Sequence, residues 1–371
     1  MNRTFKYRIY PKGTQKQALE QTLNTCRHLY NDSLAERKQA YTETGKGVTY
    51  LQQQNELTQT KKTNQYYQQV HAQVLQDTLH RLDKSFKAFF RRVKIGEKAG
   101  YPRFKSKDRY DSFCYPQSGF GIRDKKLCLS KIGSIRIFQH RLIEGTIKTC
   151  TIRRDNRQWY ACFVVELPDR MPELKTPEHP IGIDLGLKNL ITISNGEQVS
   201  PPKFLRLSEQ KLINAQKLLS RKTKGSNNRI KQRNKVASIH QHIREQRKDF
   251  AHQLSRNLVN RFDHIVFEDL SIQNMLQNHH LAKSISDASW SQLVAFTKYK
   301  AEEAGIIVET VNPYNTSQAC SSCGGIVQKG LAERIHSCSC GLVLDRDLNA
   351  ALNVLNKSTL GLRGRACGEL R

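Results

Sequence analysis

The first residues alternate between apolar or aromatic and polar side chains, a period of two that is typical of a half-buried β-strand. The alternation covers residues 4–10, and Pro11 and Gly13 end it. From Thr14 onward, apolar side chains recur every three or four residues instead, which predicts amphipathic helices. These helical positions are Leu19, Leu23, Cys26, Leu29, Tyr30 and Leu34, and then Val70, Val74, Leu75, Leu79, Leu82, Phe86, Phe89 and Phe90. The chain is therefore predicted to open with a strand and to continue into a helical domain.

Short runs with a period of two return between residues 110 and 167, for example at 134–138 and 159–165. They predict an antiparallel sheet or a small barrel, which the first strand could join. Residues 168–180 contain four of the ten prolines in a mostly polar stretch. We interpret that stretch as a linker.

After Pro180 the pattern is mixed. Strands are predicted at residues 181–185, 190–194 and 264–268, because each is a short apolar run. A long helical segment precedes the last of them, and its apolar stripe consists of Val236, Ile239, Ile243, Phe250, Leu254 and Leu258. The sequence as a whole predicts an α+β multidomain protein.

Charge narrows the class of partner. The 371 residues include 61 Lys and Arg against 33 Asp and Glu, a formal net charge of +28 that is spread over most of the chain. A polyanion is the expected partner, and nucleic acid is favoured over a membrane because no apolar anchor accompanies the charge. With no leader and no run of about 20 apolar residues, we expect a cytoplasmic protein.

One basic segment also carries aromatic side chains. Residues 84–109 contain ten Lys or Arg and only two acids, interleaved with phenylalanine and tyrosine. A solvated helix face with its aromatic side chains in the core explains this run. In a chain of this charge, however, phosphate contact with occasional base stacking becomes more favoured.

At three places in the chain, acidic residues interrupt, end or begin an apolar segment. Asp184 lies inside a buried-type strand, Glu268 ends another, and Asp345 and Asp347 begin an apolar-striped helix. Each has an ordinary explanation, as a turn residue, a solvated strand end or a helix cap. Together, however, strand-Asp, strand-Glu and helix-Asp form the order expected of an RNase H-like active site. Two Mg²⁺ ions about 4 Å apart need several such oxygen ligands. We favour Asp347 as the third ligand because it lies closer to the helix proper, and give Asp345 a capping or supporting role.

Four of the ten cysteines form a cluster. The pair Cys320-Ser-Ser-Cys323 is followed, after fourteen residues, by Cys338-Ser-Cys340. Two close pairs of thiolates predict one structural zinc ion, although the second pair is tighter than the usual C-x-x-C. Four free thiols are the alternative. The remaining cysteines are scattered, which suits reduced thiols: Cys26, Cys114, Cys128, Cys150, Cys162 and Cys367.

Several short motifs point to one known family. They are Tyr7-Arg8-Ile9-Tyr10-Pro11, Gly100-Tyr101-Pro102-Arg103-Phe104-Lys105, Gly182-Ile183-Asp184-Leu185-Gly186, Glu268-Asp269-Leu270, Ser317-Gln318-x-Cys320-x-x-Cys323-Gly324 and Asp345-Arg346-Asp347-x-Asn349-Ala350-Ala351. The last two, in this order, are highly specific. On these motifs the chain resembles TnpB, the RNA-guided nuclease of bacterial insertion sequences and a relative of type V CRISPR effectors, over essentially its full length.

The resemblance implies a domain layout. A split β-barrel wedge domain would comprise residues 1–10 and 110–170, and a helical recognition domain residues 11–109. A RuvC-like (RNase H-like) nuclease domain would comprise residues 179–316 and 341–371, interrupted by a zinc-binding insert at residues 317–340.

The resemblance also implies the chemistry and the partners. Asp184, Glu268 and Asp347 would be catalytic and would hold two Mg²⁺ ions, while the four cysteines would hold one Zn²⁺. A guide RNA from the transposon end would pair with double-stranded target DNA, and the protein would read a short flanking motif. No membrane and no small-molecule substrate is expected. The candidate nucleic-acid-binding residues are Gln76, Tyr115, Gln117 and Arg334.

Three other functions remain open from the sequence. The protein could be a guide-independent transposase or resolvase, because the RNase H fold serves those activities too. It could be a non-cleaving, RNA-guided repressor, although such a protein would be expected to lack a carboxylate. A pure zinc-ribbon nucleic-acid-binding protein would leave the acids within the apolar strands unexplained.

Overall fold

The structure is a computed structural model, and the chain divides into two compact units, residues 1–170 and 171–371. The residues that it describes are 2–168, 172–174, 176–330 and 333–358. Cys367 and the end of the predicted nuclease domain lie outside the described residues.

The first unit contains a strand, a group of helices and then six more strands. Its elements are β1 (Asn2–Tyr10), α1 (Gly13–Thr44), α2 (Tyr50–Thr63), α3 (Gln65–Gln68), α4 (Ala72–Lys94), β2 (Ser112–Tyr115), β3 (Phe120–Arg123), β4 (Lys126–Leu129), β5 (Gly133–Phe138), β6 (Thr146–Asp155) and β7 (Gln158–Glu166). The predicted opening strand, the helical section and the later strands are all confirmed.

The strands of the first unit form one antiparallel sheet in the order β2-β6-β7-β1-β5-β4-β3. The first strand of the chain lies at its centre, paired with β7 and β5, so the prediction that it joins the later strands is confirmed. The two edges of the sheet approach each other, which shows that the sheet curls: the ring of Tyr115 in edge strand β2 lies 6.4 Å, centroid to centroid, from the ring of Phe120 in the other edge strand, β3.

The helices and the sheet of the first unit share one hydrophobic core. Helices α1 and α4 pack against each other, and α4 also packs against β2. Most of the predicted apolar positions of both helices, such as Leu19, Leu75 and Leu82, are buried in this core together with Phe163 of the sheet, whereas Phe90 near the end of α4 is 60% exposed. The period of three to four residues therefore marks the faces that the helices bury.

The second unit mixes strands and helices. Its elements are β8 (Pro180–Leu185), β9 (Ile191–Ile193), β10 (Gln198–Val199), α5 (Phe204–Ser220), α6 (Asn227–Arg261), β11 (His264–Glu268), α7 (Ile272–Met275), α8 (Ala282–Ala288), α9 (Trp290–Ala304), β12 (Ile307–Val311), β13 (Ile335–Ser337), β14 (Val343–Asp345) and α10 (Arg346–Asn356). The three predicted strands correspond to β8, β9 and β11.

The main sheet of this unit has the strand order β10-β9-β8-β11-β12. Strands β8, β11 and β12 are parallel to one another, whereas β9 is antiparallel to β8 and to β10. Helices α8 and α9 and the end of α6 bury apolar side chains against it, including Ile285, Trp290 and Leu258. A two-stranded hairpin of β13 and β14 leads into α10.

The long helix α6 pairs with α5, and the two share a small core of Leu212, Ala215, Ile239 and Ile243. The side chain of Ser226 caps α6 by accepting a hydrogen bond from the amide of Arg229 at 3.1 Å. Among the described residues, no helix is both long enough and apolar enough to cross a membrane.

Candidate active site

The main sheet of the second unit places two of the predicted carboxylates side by side. Ile183 of β8 pairs with Phe267 of β11, so the next residues, Asp184 and Glu268, occupy equivalent positions on neighbouring parallel strands. Both lie at the carboxyl ends of these strands, the edge at which open α/β sheets usually bind ligands. Glu268 is 6% exposed.

Helix α10 brings the third carboxylate to the same edge. The helix packs on β8, β9 and β11 through Ala350, Ala351 and Val354, which are buried. A close approach at Gly182 makes this packing possible: a Cβ there would lie 2.1 Å from the carbonyl oxygen of Ala351. Asp347, in the first turn of α10, is thereby held near Asp184.

Asp345 has the capping role that the sequence suggests. Its carboxylate accepts hydrogen bonds from the amides of Asp347 and Leu348, at 2.9 Å and 3.3 Å, and so caps the amino end of α10. The carboxylate of Asp347 is therefore not needed as the helix cap. Its own carboxylate lies 3.5 Å from Nε of Arg346 and 3.9 Å from a guanidinium nitrogen of Arg334.

The proximity of the carboxylates is visible in their electrostatics. Burial, together with the nearby charges of Glu268 and Asp347, raises the pKa of Asp184 from 3.8 to about 8, although the positive charge of Arg346 acts in the opposite direction. Burial also raises the pKa of Glu268, and the hydroxyl of Thr316, which donates to its Oε1 at 2.6 Å, lowers it. A cluster of acids that cannot all ionise without a cation suits a divalent metal ion with oxygen ligands.

The four clustered cysteines also come together. Their sulfurs all lie within 4.8 Å of one another. The Sγ atoms of Cys320 and Cys340 are 3.7 Å apart, and those of Cys323 and Cys338 are 3.5 Å apart. A tetrahedral zinc ion with Zn–S bonds of about 2.3 Å requires sulfurs at about this spacing. The tight C-x-C pair therefore fits the cluster.

Backbone amides prepare two of these sulfurs for metal binding. A hydrogen bond from the backbone of Cys340 lowers the pKa of Cys338 to about 6. A similar bond from the backbone of Cys323 lowers the pKa of Cys320 to about 7. Because the thiolate is the form that binds zinc, these amides prepare Cys320 and Cys338 as ligands. A backbone hydrogen bond from Leu342 lowers the pKa of Cys340, but hydrogen bonds with the neighbouring thiols outweigh it and raise that pKa to about 12.

The predicted nucleic-acid-binding residues are in different environments. Gln117 is exposed and accepts a long hydrogen bond, 3.4 Å, from Gln73 of α4, while Gln76 is half-buried on the same helix. Tyr115 is 1% exposed, and its hydroxyl donates to the carbonyl of Ser130, so its side chain is not available to DNA. Arg334 belongs to the second unit and lies beside Asp347.

The sequence interpretation missed four residues with apparent roles. Gln73 also accepts hydrogen bonds from the amide and hydroxyl of Ser118, which places it beside Gln117. Thr316 contacts Glu268, and Asn349 and Asn353 bond the loop before Cys320. Of the four, only Asn349 lies within one of the short motifs noted in the sequence, the one that begins at Asp345, and so could have been singled out from the sequence.

A comparison with solved structures shows the class of fold. The chain of a Cas12f1–sgRNA–target DNA complex superposes with a TM-score of 0.61 at 15% identity, and the match covers 96% of this chain and 99% of that one. At such low identity the likeness concerns the fold alone. The protein therefore shares its fold with the Cas12f1 chain of that complex.

Sequence relatives define the family. A Streptomyces pristinaespiralis protein named "Putative RNA-guided DNA endonuclease" is 36% identical, and the match covers all of this chain and 92% of the relative. "Putative RNA-guided DNA endonuclease InsQ" of Escherichia coli K12 is 29% identical over 99% of this chain and 94% of its own. The chain belongs to the TnpB family, also called OrfB, of IS605-type elements.

Family models match three parts of the chain. Residues 162–279 match a model described as probable transposase, residues 290–354 a Cas12f1-like TNB domain, and residues 1–46 a helix-turn-helix domain. In the last of these ranges the structure contains β1 followed by the single long helix α1. The second range includes both the cysteine cluster and Asp347.

Proposed function

We propose that this protein is an RNA-guided, magnesium-dependent DNA endonuclease of an insertion sequence, which cuts target DNA beside a short flanking motif. The observation that carries the proposal is the convergence of Asp184, Glu268 and Asp347 from two parallel strands and one helix. The names of the family's relatives support guidance by RNA, and the formal net charge of +28 supports a nucleic-acid partner.

The strand order supports an RNase H-like nuclease domain. Numbered along the chain, the five strands of the main sheet lie in the order 3-2-1-4-5, with the second antiparallel to the first. The acids occupy the ends of strands 1 and 4, and the third lies on a helix packed against strand 1. We assign residues 179–316 and 341–371 to this domain, with residues 317–340 as its zinc-binding insert.

The three carboxylates would hold Mg²⁺. When bound, the ions would lower the pKa of an attacking water and stabilise the leaving 3′ oxygen. In the metal-free protein, Asp184 keeps its proton up to a pH of about 8, so metal binding displaces that proton. Thr316 fixes the orientation of Glu268. Arg334, whose side chain is 45% exposed beside Asp347, would contact the scissile phosphate.

The remaining assignments concern nucleic acid and zinc. Residues 1–10 and 110–170 would form the wedge domain and residues 11–109 the recognition domain, with Gln76, Gln73 and Gln117 reading the flanking motif. A guide RNA from the transposon end would pair with the target strand. The four cysteines would hold one structural Zn²⁺ and have no part in hydrolysis.

The test is purification from cells that carry the native flanking DNA of the gene. A discrete RNA should co-purify, and the complex should cut a plasmid that matches this RNA beside one sequence selected from a randomised flank. Asp184→Asn should abolish cutting but retain the RNA. Asp269→Asn, an exposed acid adjacent to Glu268, should cut like the parent.

Each rival function predicts a different result. A guide-independent transposase or resolvase would purify without RNA and would cut without reference to a guide. A non-cleaving repressor would bind the matched plasmid but leave it intact. Equal cutting by the parent and by Asp184→Asn would refute the assignment of the active site.

A further inference from the structure

Two buried asparagines of α10 are not used by the proposed reaction. Asn349 and Asn353 are 0% and 6% exposed, and a spacing of four residues places them on the same face of the helix. This face is turned towards the loop that begins the cysteine cluster. Buried side-chain amides are costly unless they are hydrogen-bonded, so their partners identify what they do.

Both asparagines bond the backbone beside Cys320. The Nδ2 atoms of Asn349 and Asn353 donate to the carbonyl oxygen of Ala319, at 2.8 Å and 2.7 Å. The Oδ1 atom of Asn349 accepts from the amide of Ser321 at 3.0 Å. The residues on either side of Cys320 are thus tied to the helix that carries Asp347.

Asn353 extends this connection to a second carboxylate. Its Nδ2 also donates to the carbonyl oxygen of Thr316, at 2.9 Å. The hydroxyl of the same threonine donates to Glu268, and Thr316 is itself 4% exposed. One set of buried hydrogen bonds therefore joins the cysteine loop to the elements that position Asp347 and Glu268.

We propose that Asn349 and Asn353 are positioning residues that couple metal binding at the four cysteines to metal binding at the carboxylates. This inference rests on the proposed function for the identity of the two sites. Zinc orders the loop around Cys320, and the asparagines transmit that order to α10 and to Thr316. By linkage, each metal then raises the affinity of the protein for the other.

Mn²⁺ binding tests the coupling without nucleic acid. Mn²⁺ serves as the probe for the carboxylate site, and its electron paramagnetic resonance spectrum separates free from bound ion. The parent is titrated with one zinc per chain and again after zinc removal. We expect zinc removal to weaken Mn²⁺ binding about tenfold, within the usual range of coupling between sites.

The asparagine variants identify the route. In Asn349→Ala, Asn353→Ala and the double variant, the zinc-loaded protein should bind Mn²⁺ as weakly as the zinc-free parent, and zinc removal should cause little further change. Ser255→Ala is the matched control: it removes a buried hydrogen-bond partner of Lys300 in the same unit, on helices α6 and α9, which carry none of the proposed metal ligands. It should lose stability but keep the zinc dependence of Mn²⁺ affinity.

The outcomes separate this inference from the proposed function. If zinc removal leaves the parent's Mn²⁺ affinity unchanged, or if the folded, zinc-loaded asparagine variants bind Mn²⁺ like the parent, the coupling is refuted and the carboxylate site stands. If Asp184→Asn binds Mn²⁺ as tightly as the parent, the proposed active site fails, and the coupling fails with it. The zinc-stripped parent provides a test even if a variant does not fold.

Discussion

Replacing Asp184 by asparagine should stabilise the metal-free protein and should also abolish cutting. The parent carboxyl has a pKa of about 8 in the folded protein, against 3.8 ordinarily, because burial and the neighbouring acids disfavour its charged form. Asparagine has nearly the same shape and carries no charge. The variant therefore removes the electrostatic penalty and keeps the packing.

The sign of the pH dependence follows from these two pKa values. Below about pH 4 the carboxyl is protonated in both the folded and the unfolded states, and it contributes no difference. Between about pH 4 and 8 the unfolded chain releases the proton and the folded protein retains it, so the parent loses stability as pH rises. At about 1.4 kcal/mol for each unit of pKa, the difference between 3.8 and about 8 sets an upper limit of about 6 kcal/mol. The carboxyls titrate together and the site is partly hydrated, so the real effect is smaller than this limit. We expect the free energy of unfolding of the variant at pH 8 to exceed that of the parent by about 2 to 4 kcal/mol.

The measurement is urea unfolding in magnesium-free buffer across pH 4 to 8. The protein has two tryptophans, and Trp290 lies buried in the core of the unit that holds Asp184. In a Trp159→Phe background, fluorescence therefore reports the unfolding of this unit. The free energy of unfolding of the variant should equal that of the parent at pH 4, and the difference should grow to its full value at pH 8. Added Mg²⁺ should stabilise the parent and leave the variant almost unchanged, because ligand binding stabilises only the protein that binds it.

Parallel pH profiles for the parent and for Asp184→Asn would contradict this account. They would mean that Asp184 ionises normally and that the three acids do not share one crowded site. Asp269→Asn is the control for the loss of a negative charge near the same strand end, since Asp269 is exposed. Its profile should run parallel to that of the parent.

Three further variants test other parts of the site. Gly182→Ala should lower the free energy of unfolding by about 3 kcal/mol, measured with urea, and should abolish cutting, because the added Cβ would collide with the backbone of α10. Gly121→Ala is the control: its Cβ would lie in open space, so neither stability nor cutting should change. Cys338→Ser should lower the zinc content from about one per chain towards zero, measured by mass spectrometry of the metal, whereas Cys128→Ser should keep the zinc. Thr316→Val removes a hydrogen bond that lowers the pKa of the carboxyl it contacts, so the pH at which Mn²⁺ binding is half-maximal should rise. An unchanged midpoint in a folded variant would exclude that role.

Much of the fold follows from the sequence because its signals are local. The alternation in β1 and the three-to-four spacing in α4 each mark a face that one element buries. The same holds for the acids: Asp184 and Glu268 each stand where an apolar strand ends, and Asp345 precedes a helix that it caps. A side chain whose environment depends mainly on its own element is predicted well.

The missed features depend on contacts that are distant in sequence. Tyr115 appeared available for DNA, but three consecutive residues of β2 are buried, because α4 covers one face of this short strand and the sheet core covers the other. Strand β12 was not predicted, since it is only partly buried and its short sequence carries a glutamate. The partners of Asn353, at Thr316 and Ala319, lie more than thirty residues away in the chain.

Asp347 shows how such distant contacts build the site. Its place depends on the missing side chain of Gly182, on the cap provided by Asp345 and on the hydrogen bonds of Asn349 to the cysteine loop. None of these residues touches the reacting phosphate in the proposed mechanism, yet each contributes a contact that helps to hold α10 in place. Substitutions at the three positions should therefore weaken metal binding while leaving all three carboxylates in the chain. This pattern distinguishes a pre-organised metal site from acids that are merely close together.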